Sequence, residues 1–256
     1  MNRIEALNIP EKNTETFLDF NQKSKTEIQK LCSRFYNSKI NQSQIEEFLQ
    51  ITDKEVQKIL TFAMDAFKEK KRKDGQYLVT HSLRLVKDAK YLNISDEEIV
   101  KLVLLHDIVE DTEFSLEDIR KKFGDKMANL SEFMIEKRIS DNRDLSLITF
   151  VEQLKRGGKK VAIAEILDRI DDITDLDYLT KDIKNMAEEN KNEIYKKLAK
   201  KFAKCKYAIE SVTENFEKDD DVLLKKTFKK LFFYQINECN IPMDLIQEYS
   251  KNYKRR

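Results

Sequence analysis

Reactive chemistry has few places to sit in this chain. Among its 256 residues there are two histidines, His81 and His106, and His106 is followed at once by Asp107, where the apolar run Leu102-Val103-Leu104-Leu105 ends. An unpaired carboxylate buried against a helix core costs several kcal/mol, so Asp107 must be paired, neutralised or bound to a cation. A metal ion also accounts for the histidine beside it. Adjacent residues on a helix point about 100° apart, which lets His106 and Asp107 reach one ion while other helices complete its shell. His81 and Asp168 are the candidates, the latter closing another apolar stretch, Ala162-Ile163-Ala164-Glu165-Ile166-Leu167-Asp168. Two imidazoles and two carboxylates suit manganese, iron or zinc better than a thiolate-loving ion.

Glu110 and Asp111 follow the His106-Asp107 pair by four residues each. They face the same cavity one turn further on if the helix persists. A divalent ion lowers the pKa of water to about 7, and a neighbouring carboxylate can then hold or deprotonate that water for attack on phosphorus. An isolated His-Asp dipeptide is more often a satisfied core histidine, and Glu110-Asp111 would then be the polar end of a helix. The two histidines, the apolar flanks and Asp168 together outweigh that reading.

The elements that must position these groups read as helices. Ser95-Asp96-Glu97-Glu98 has capping-box spacing, and Ser115-Leu116-Glu117-Asp118 and Thr52-Asp53-Lys54-Glu55 are similar. Each marks a helix start, where the first backbone N–H groups need acceptors. From Asp53, the residues Val56, Ile59, Leu60, Ala63, Ala66 and Phe67 recur every three or four positions, a helical stripe that ends in Lys68 to Gly75. Further helices are predicted over 79–93, 96–111, 115–123, 125–137, 144–156, 159–173 and 182–217, with no strand alternation. Residues 1–52 read as a helical extension (14–36 and 43–51), 53–202 as the domain that carries the chemistry, and 203–256 as a second extension packed on it. That second extension holds two helices, separated near Asn240 and Pro242. The class is all-α, a helical bundle with extra helices at both termini.

Composition agrees. Four Gly and two Pro leave few residues to punctuate hairpins. A net charge of +1 removes the basic footprint of a dedicated nucleic-acid binder. The richest apolar stretch, Ile99 to Val109, is interrupted by Lys101, His106 and Asp107, and Met1 to Asn13 has no apolar core of a leader. The chain therefore reads as a cytoplasmic protein that engages neither nucleic acid nor membrane, with its helical extensions available for homo-oligomer contacts. Cys32, Cys205 and Cys239 are widely spaced, without a CxxC pair, and read as buried free thiols.

The string Arg72-Lys73-Asp74-Gly75, His81, Leu104-Leu105-His106-Asp107-Ile108-Val109-Glu110-Asp111-Thr112 and Leu167-Asp168-Arg169 resembles the hydrolase domain of the Rel/SpoT alarmone family. Phe123-Gly124-Asp125 to Leu130 and Tyr195-Lys196-Lys197-Leu198-Ala199 extend the likeness, which spans about residues 60 to 202. The resemblance implies an all-helical HD domain that removes the 3′-pyrophosphate of (p)ppGpp with manganese. Carried across by position, it implies His81, His106, Asp107 and Asp168 as metal ligands and Glu110 and Asp111 as the pair that orients water. Arg72 and Lys73 match basic residues that line the nucleotide. The residues after 202 are too few for the family's synthetase module, so a hydrolytic activity alone is expected.

Departures cluster after the metal Asp. The family's Asp-Arg-Leu-His-Asn-Met-Arg-Thr is here Asp168-Arg169-Ile170-Asp171-Asp172-Ile173-Thr174-Asp175. A nucleotide-contacting Asn is thus Asp172 and a basic residue is lost at Thr174, and the added negative charge is expected to weaken a polyphosphate's binding. Gly75-Gln76-Tyr77-Leu78-Val79-Thr80 and Glu132-Phe133-Met134-Ile135-Glu136-Lys137 also depart from the family's substrate-facing segments. Two further readings stay open: an HD phosphohydrolase for another nucleotide (a dNTP, a cyclic dinucleotide or NADPH), and a regulatory protein that senses a nucleotide without cleaving it.

Overall fold

The computed structural model describes residues 14–68, 70–72, 75–137, 139, 142–180, 183, 186–214, 216 and 220–254. The chain runs through α1 (Thr14–Tyr36), α2 (Gln42–Leu49), α3 (Lys54–Ala66), α4 (Val79–Tyr91), α5 (Glu97–Leu105), α6 (Ile108–Asp111) and α7 (Leu116–Glu132). It continues through α8 (Arg143–Gly157), α9 (Lys159–Thr174), α10 (Asp177–Thr180), α11 (Glu188–Val212), α12 (Asp220–Glu238) and α13 (Met243–Lys254). Among the described residues the extended backbone pairs at one isolated bridge, Lys71 with Tyr77, so the fold is all-α as its composition implies.

α5 sits at the centre because it is apolar on every side. Ile99, Val100, Leu102, Val103, Leu104 and Leu105 are all buried, and the helix packs on α3, α4, α7 and α9. Each fully buried Leu or Val contributes about 1.5–3 kcal/mol, enough for this one helix to offset carrying an imidazole inside at its C-terminus. Lys101 escapes the core along its own stem and reaches Glu55 Oε2 with Nζ at 2.7 Å.

Helix starts fall where the caps predict, with a shift. Asp96 accepts from the Glu98 N–H at 2.9 Å, and Asp53 from those of Glu55 and Val56 at 3.0 and 2.8 Å, so the carboxylate caps rather than the preceding Ser or Thr. A charged acceptor is the stronger partner at the positive end of the helix dipole. Ser115 and Asp118 form the reciprocal capping box as their spacing implies.

Three boundaries depart from expectation. The predicted 96–111 helix is broken: α5 stops at Leu105, Asp107 adopts φ −92 and ψ −2, and α6 starts at Ile108. The predicted helices on either side of Gly124 join end to end in α7, bent where Gly124 takes φ 85, and the second stops at Glu132 rather than 137. There Phe133 turns in against Gly157, where a Cβ would lie 2.9 Å from the Phe133 Cβ. α11 runs from Glu188 to Val212 rather than over 182–217, with Ala187 extended before it and the Thr213 N–H closing its last turn on the Ile209 carbonyl.

The extensions pack onto the middle of the chain. α1 lies on α4, α12 on α9, and α13 on α11. α11 itself runs without a break through residue 203. Cys32 and Cys205 are buried and Cys239 is half-buried, all as free thiols.

Candidate metal centre

Four side chains from separate elements meet at one point. His81 comes from the first turn of α4, His106 from the C-terminal end of α5, Asp107 from the break before α6, and Asp168 from the middle of α9. The His81 Nε2 lies 3.2 Å from the His106 Nε2 and 2.9 Å from Asp168 Oδ1. Asp107 Oδ2 stands 3.1 Å from the His106 Nε2 and 3.8 Å from that of His81. One ligand atom each from His81, His106 and Asp168 lies within 4.8 Å of the others, the spacing of donors around a single cation.

Each ring's other nitrogen is committed outward. His106 Nδ1 donates to the Val103 carbonyl at 3.0 Å, the acceptor that a continuing helix would give to the Asp107 N–H. His81 Nδ1 donates to Asp171 Oδ2 at 2.8 Å. Both partners only accept, so both rings carry hydrogen on Nδ1 and present Nε2 to the carboxylates. Four electron-rich groups facing each other repel unless a proton or a cation lies between them, and a donor set of two nitrogens and two carboxylates fits a divalent ion.

Asp171 belongs to a second ring of charge that sequence reading missed. The Arg84 guanidinium, fully buried, grips Asp171 through Nε and Nη2 at 2.7 Å each, and Nη2 also reaches Asp175 at 2.8 Å. Asp175 further accepts from Lys25 Nζ of α1 at 2.5 Å and from Arg72 at 3.0 Å. Burial pushes the Asp171 carboxyl up, but Arg84 and His81 outweigh it and hold it well below the usual carboxylate range. A signal was present: Asp168, Asp171 and Asp175 recur at three and four residues, which puts three carboxylates on one face of α9. Their cation, Arg84, carries no comparable local mark.

The other candidates are placed unevenly. Glu110 and Asp111 end the single turn of α6 at the open rim of the cluster, kept within one turn of the His106-Asp107 pair by the Asp111 N–H bond to the Asp107 carbonyl at 2.9 Å. Glu110 Oε1 accepts from the Glu136 N–H at 2.7 Å, which draws the segment after α7 to the rim. Arg72 is tied to Asp175, beside the cluster. Lys73 lies outside the described residues.

Asp172 corrects the expectation of unmet negative charge. It accepts from Arg169 Nη1 at 2.9 Å and pairs with Lys201 of α11. Asp171 is likewise met by Arg84, and Asp175 by Arg84, Lys25 and Arg72, so the three acidic replacements after Asp168 are all paired, and the local charge is balanced rather than added to.

Residues 60–203 match the HD-domain family, more than half of the chain. The chain belongs to the HD-domain family. Over 153 residues this HD-domain protein is 28% identical to a guanosine-3′,5′-bis(diphosphate) 3′-pyrophosphohydrolase of Aquifex aeolicus, a match covering 57% of this chain and 21% of that protein. It is 26% identical over 123 residues to the 3′-pyrophosphohydrolase MESH1 of Drosophila melanogaster, covering 46% of this chain and 66% of MESH1. The chain thus spans about a fifth of the Aquifex protein and just under two thirds of MESH1. Among solved structures, that of a metazoan ortholog of SpoT superposes with a TM-score of 0.50 at 17% identity, covering 70% of this chain and 96% of the other, a likeness of fold.

The electrostatics of the HD-domain cluster suit cation binding. Burial pulls the His81 basicity down, yet Asp171 and Asp168 more than offset it and hold the imidazole well above its ordinary value. Burial raises the Asp168 carboxyl, but Arg169, His81 and His106 outweigh it and keep it ionised. Glu110 is different: partial desolvation and the Asp107 charge lift its carboxyl to about 7, against the hydrogen bond from Glu136. Asp111 is raised for the same first two reasons. The carboxylates that raise the proton affinity of the imidazoles mark a strongly negative pocket, in which a divalent ion would take the place of the protons, while Glu110 at the rim can exchange a proton near neutrality.

Proposed function

We propose that the chain is a metal-dependent pyrophosphohydrolase that removes the 3′-pyrophosphate of (p)ppGpp. His81, His106, Asp107 and Asp168 hold a divalent transition ion, manganese by preference, and residues 53–202 form the catalytic unit on which the two extensions pack. The observation that carries this reading is the convergence of two Nε2 atoms and two carboxylates while both Nδ1 hydrogens point away. The identity of the substrate rests on the Aquifex and Drosophila relatives, which are named for cleavage of that nucleotide.

A divalent ion bound there supplies a Lewis acid that lowers the pKa of water and withdraws charge from phosphoryl oxygens. The chain's own groups do the rest. Asp171 and the Val103 carbonyl fix the tautomer and orientation of the two imidazoles. Glu110, with a carboxyl near 7, takes the proton of the attacking water, and Asp111 orients that water from the next position. Water adds to the phosphorus attached at the ribose 3′ oxygen, the P–O3′ bond breaks, pyrophosphate departs, and the 3′ oxygen takes up a proton. Arg72, held beside the cluster by Asp175, faces the phosphates, and Lys73 acts with it. Asp172 stays with Arg169 and Lys201 rather than on the nucleotide. The reaction is read as a cytoplasmic one, on a freely diffusing nucleotide. Among the described residues no helix is long and apolar enough to cross a membrane.

Purified protein with manganese is expected to release one pyrophosphate per ppGpp, and Asp107→Ala to abolish the release. No product with manganese, iron, cobalt, zinc or magnesium would overturn the proposal, and faster turnover of a dNTP, a cyclic dinucleotide or NADPH would reassign the substrate.

A further inference from the structure

A cleft of about 760 Å³ opens between the N-terminal end of α8, one face of α11 and α13, and none of the metal-centre residues lines it. Its walls carry Arg143, Lys197, Lys200, Lys201 and Lys204 against a single carboxylate, Asp144. The four lysines recur at three, one and three residues along α11, so they stand as one row. Like charges at this spacing repel one another along the helix, a cost that a bound anion reverses. In a chain of net charge +1, such a concentration of cations in a concave site is a local feature that focuses potential on whatever enters.

The pairings within the cleft show which cations face a ligand. Lys201 is turned to Asp172 of α9, and Asp144 accepts from Asn252 at 3.4 Å. Lys197, Lys204 and Arg143 have no carboxylate partner among the described residues, and Lys200 lies 5.1 Å over the Tyr249 ring. The other wall is aromatic: Tyr249 lines the cleft, and Tyr253, buried, is stacked on Tyr207 at 5.0 Å. Unmatched cations opposite rigid rings, in a volume within the roughly 300–1,000 Å³ of small-molecule sites, suit a multiply phosphorylated small molecule better than an extended polymer. Tyr249, Tyr253 and Lys204 all lie beyond residues 60–203, outside the family match.

We infer that this cleft is a second anion site, separate from the metal centre, that binds a nucleoside polyphosphate with its phosphates on Arg143, Lys197, Lys200 and Lys204 and its base toward Tyr249. The test is equilibrium dialysis of the full chain, with manganese present, against GTP, which has no 3′-pyrophosphate to lose, and against inorganic triphosphate. Binding is expected to persist in Asp168→Asn and to weaken at least about tenfold in Lys200→Glu/Lys204→Glu, since each charge-assisted contact is worth about a factor of ten or more. The paired circular-dichroism melts should coincide with wild type. If the double variant fails to fold, Lys204→Ala, a milder change at the same wall, is expected to weaken binding about threefold or more. GTP bound more tightly than triphosphate assigns the tyrosine side to the base, and equal binding assigns the site to phosphates alone; both support a second anion site. GTP binding that disappears in Asp168→Asn and ignores the lysine changes would place the ligand at the metal centre and overturn the inference. So would failure of both probes to bind at about 1 mM, or capture of a single-stranded RNA oligomer, but neither probe, through the same lysines.

Discussion

Replacing Asp171 with Asn separates the metal centre from the charge network behind it. The carboxylate makes three short contacts, 2.8 Å to His81 Nδ1 and 2.7 Å to each of two Arg84 nitrogens. Asn keeps the shape but removes the charge, so the His81 tautomer loses its strongest determinant and Arg84 keeps only Asp175. Loss of a carboxylate behind a metal-ligating histidine weakens metal binding about 10–100-fold, or about 1.4–2.7 kcal/mol. Leaving a buried guanidinium half-paired costs about 3–5 kcal/mol of stability. The assay is manganese affinity by competition with a chelator, alongside chemical unfolding of the same sample. The double variant Asp171→Asn/Arg84→Met then removes the stranded charge: stability is expected to recover in large part and metal affinity to stay low. Recovery of full metal affinity in the double variant, or an unchanged affinity in the single one, would refute the reasoning, because Asp171 would then act only on the fold.

Two further outcomes follow from the shifted carboxyls. Glu110→Gln is expected to lower kcat by about 10²–10⁴ and to erase the acid limb of the kcat/KM profile. In wild type that limb lies at or below pH 7, since Glu110 stands near 7 and a bound cation favours its charged form; a limb retained in Glu110→Gln would count against its role. Asp88, fully buried beneath Asn21 of α1 at 3.2 and 3.1 Å, has its carboxyl pushed to about 8 by burial and by the Asp171 charge. The folded state therefore holds a proton that the unfolded chain gives up near pH 4. Between about pH 4 and 8 each unit of rising pH removes up to about 1.4 kcal/mol of stability through this group, and Asp88→Asn is expected to raise Tm at pH 8 and flatten its decline; an unchanged pH slope of Tm would exclude it.

Much of the molecule was legible along the chain because its determinants are local. The apolar residues of α5 recur on all sides, the carboxylates at Asp53 and Asp96 cap the helices that follow them, and His106-Asp107 at the end of an apolar run announces a buried charge that needs a partner. Residue chemistry alone therefore named His81, His106, Asp107 and Asp168, and the fold brings these four to one point. Sequence could not decide how their neighbours are paired. Arg84 meets Asp171 across 87 residues, and Lys25 meets Asp175 across 150. Asp172, read from its position as unmet negative charge facing a nucleotide, is turned instead to Arg169 and Lys201. The break between α5 and α6 is likewise a tertiary outcome, since His106 takes the Val103 carbonyl with its ring while Nε2 meets groups from α4 and α9. Periodicity and caps depend on neighbours within a turn or two, whereas the partner of a buried charge depends on which helix faces lie against each other, and packing of the whole chain sets that.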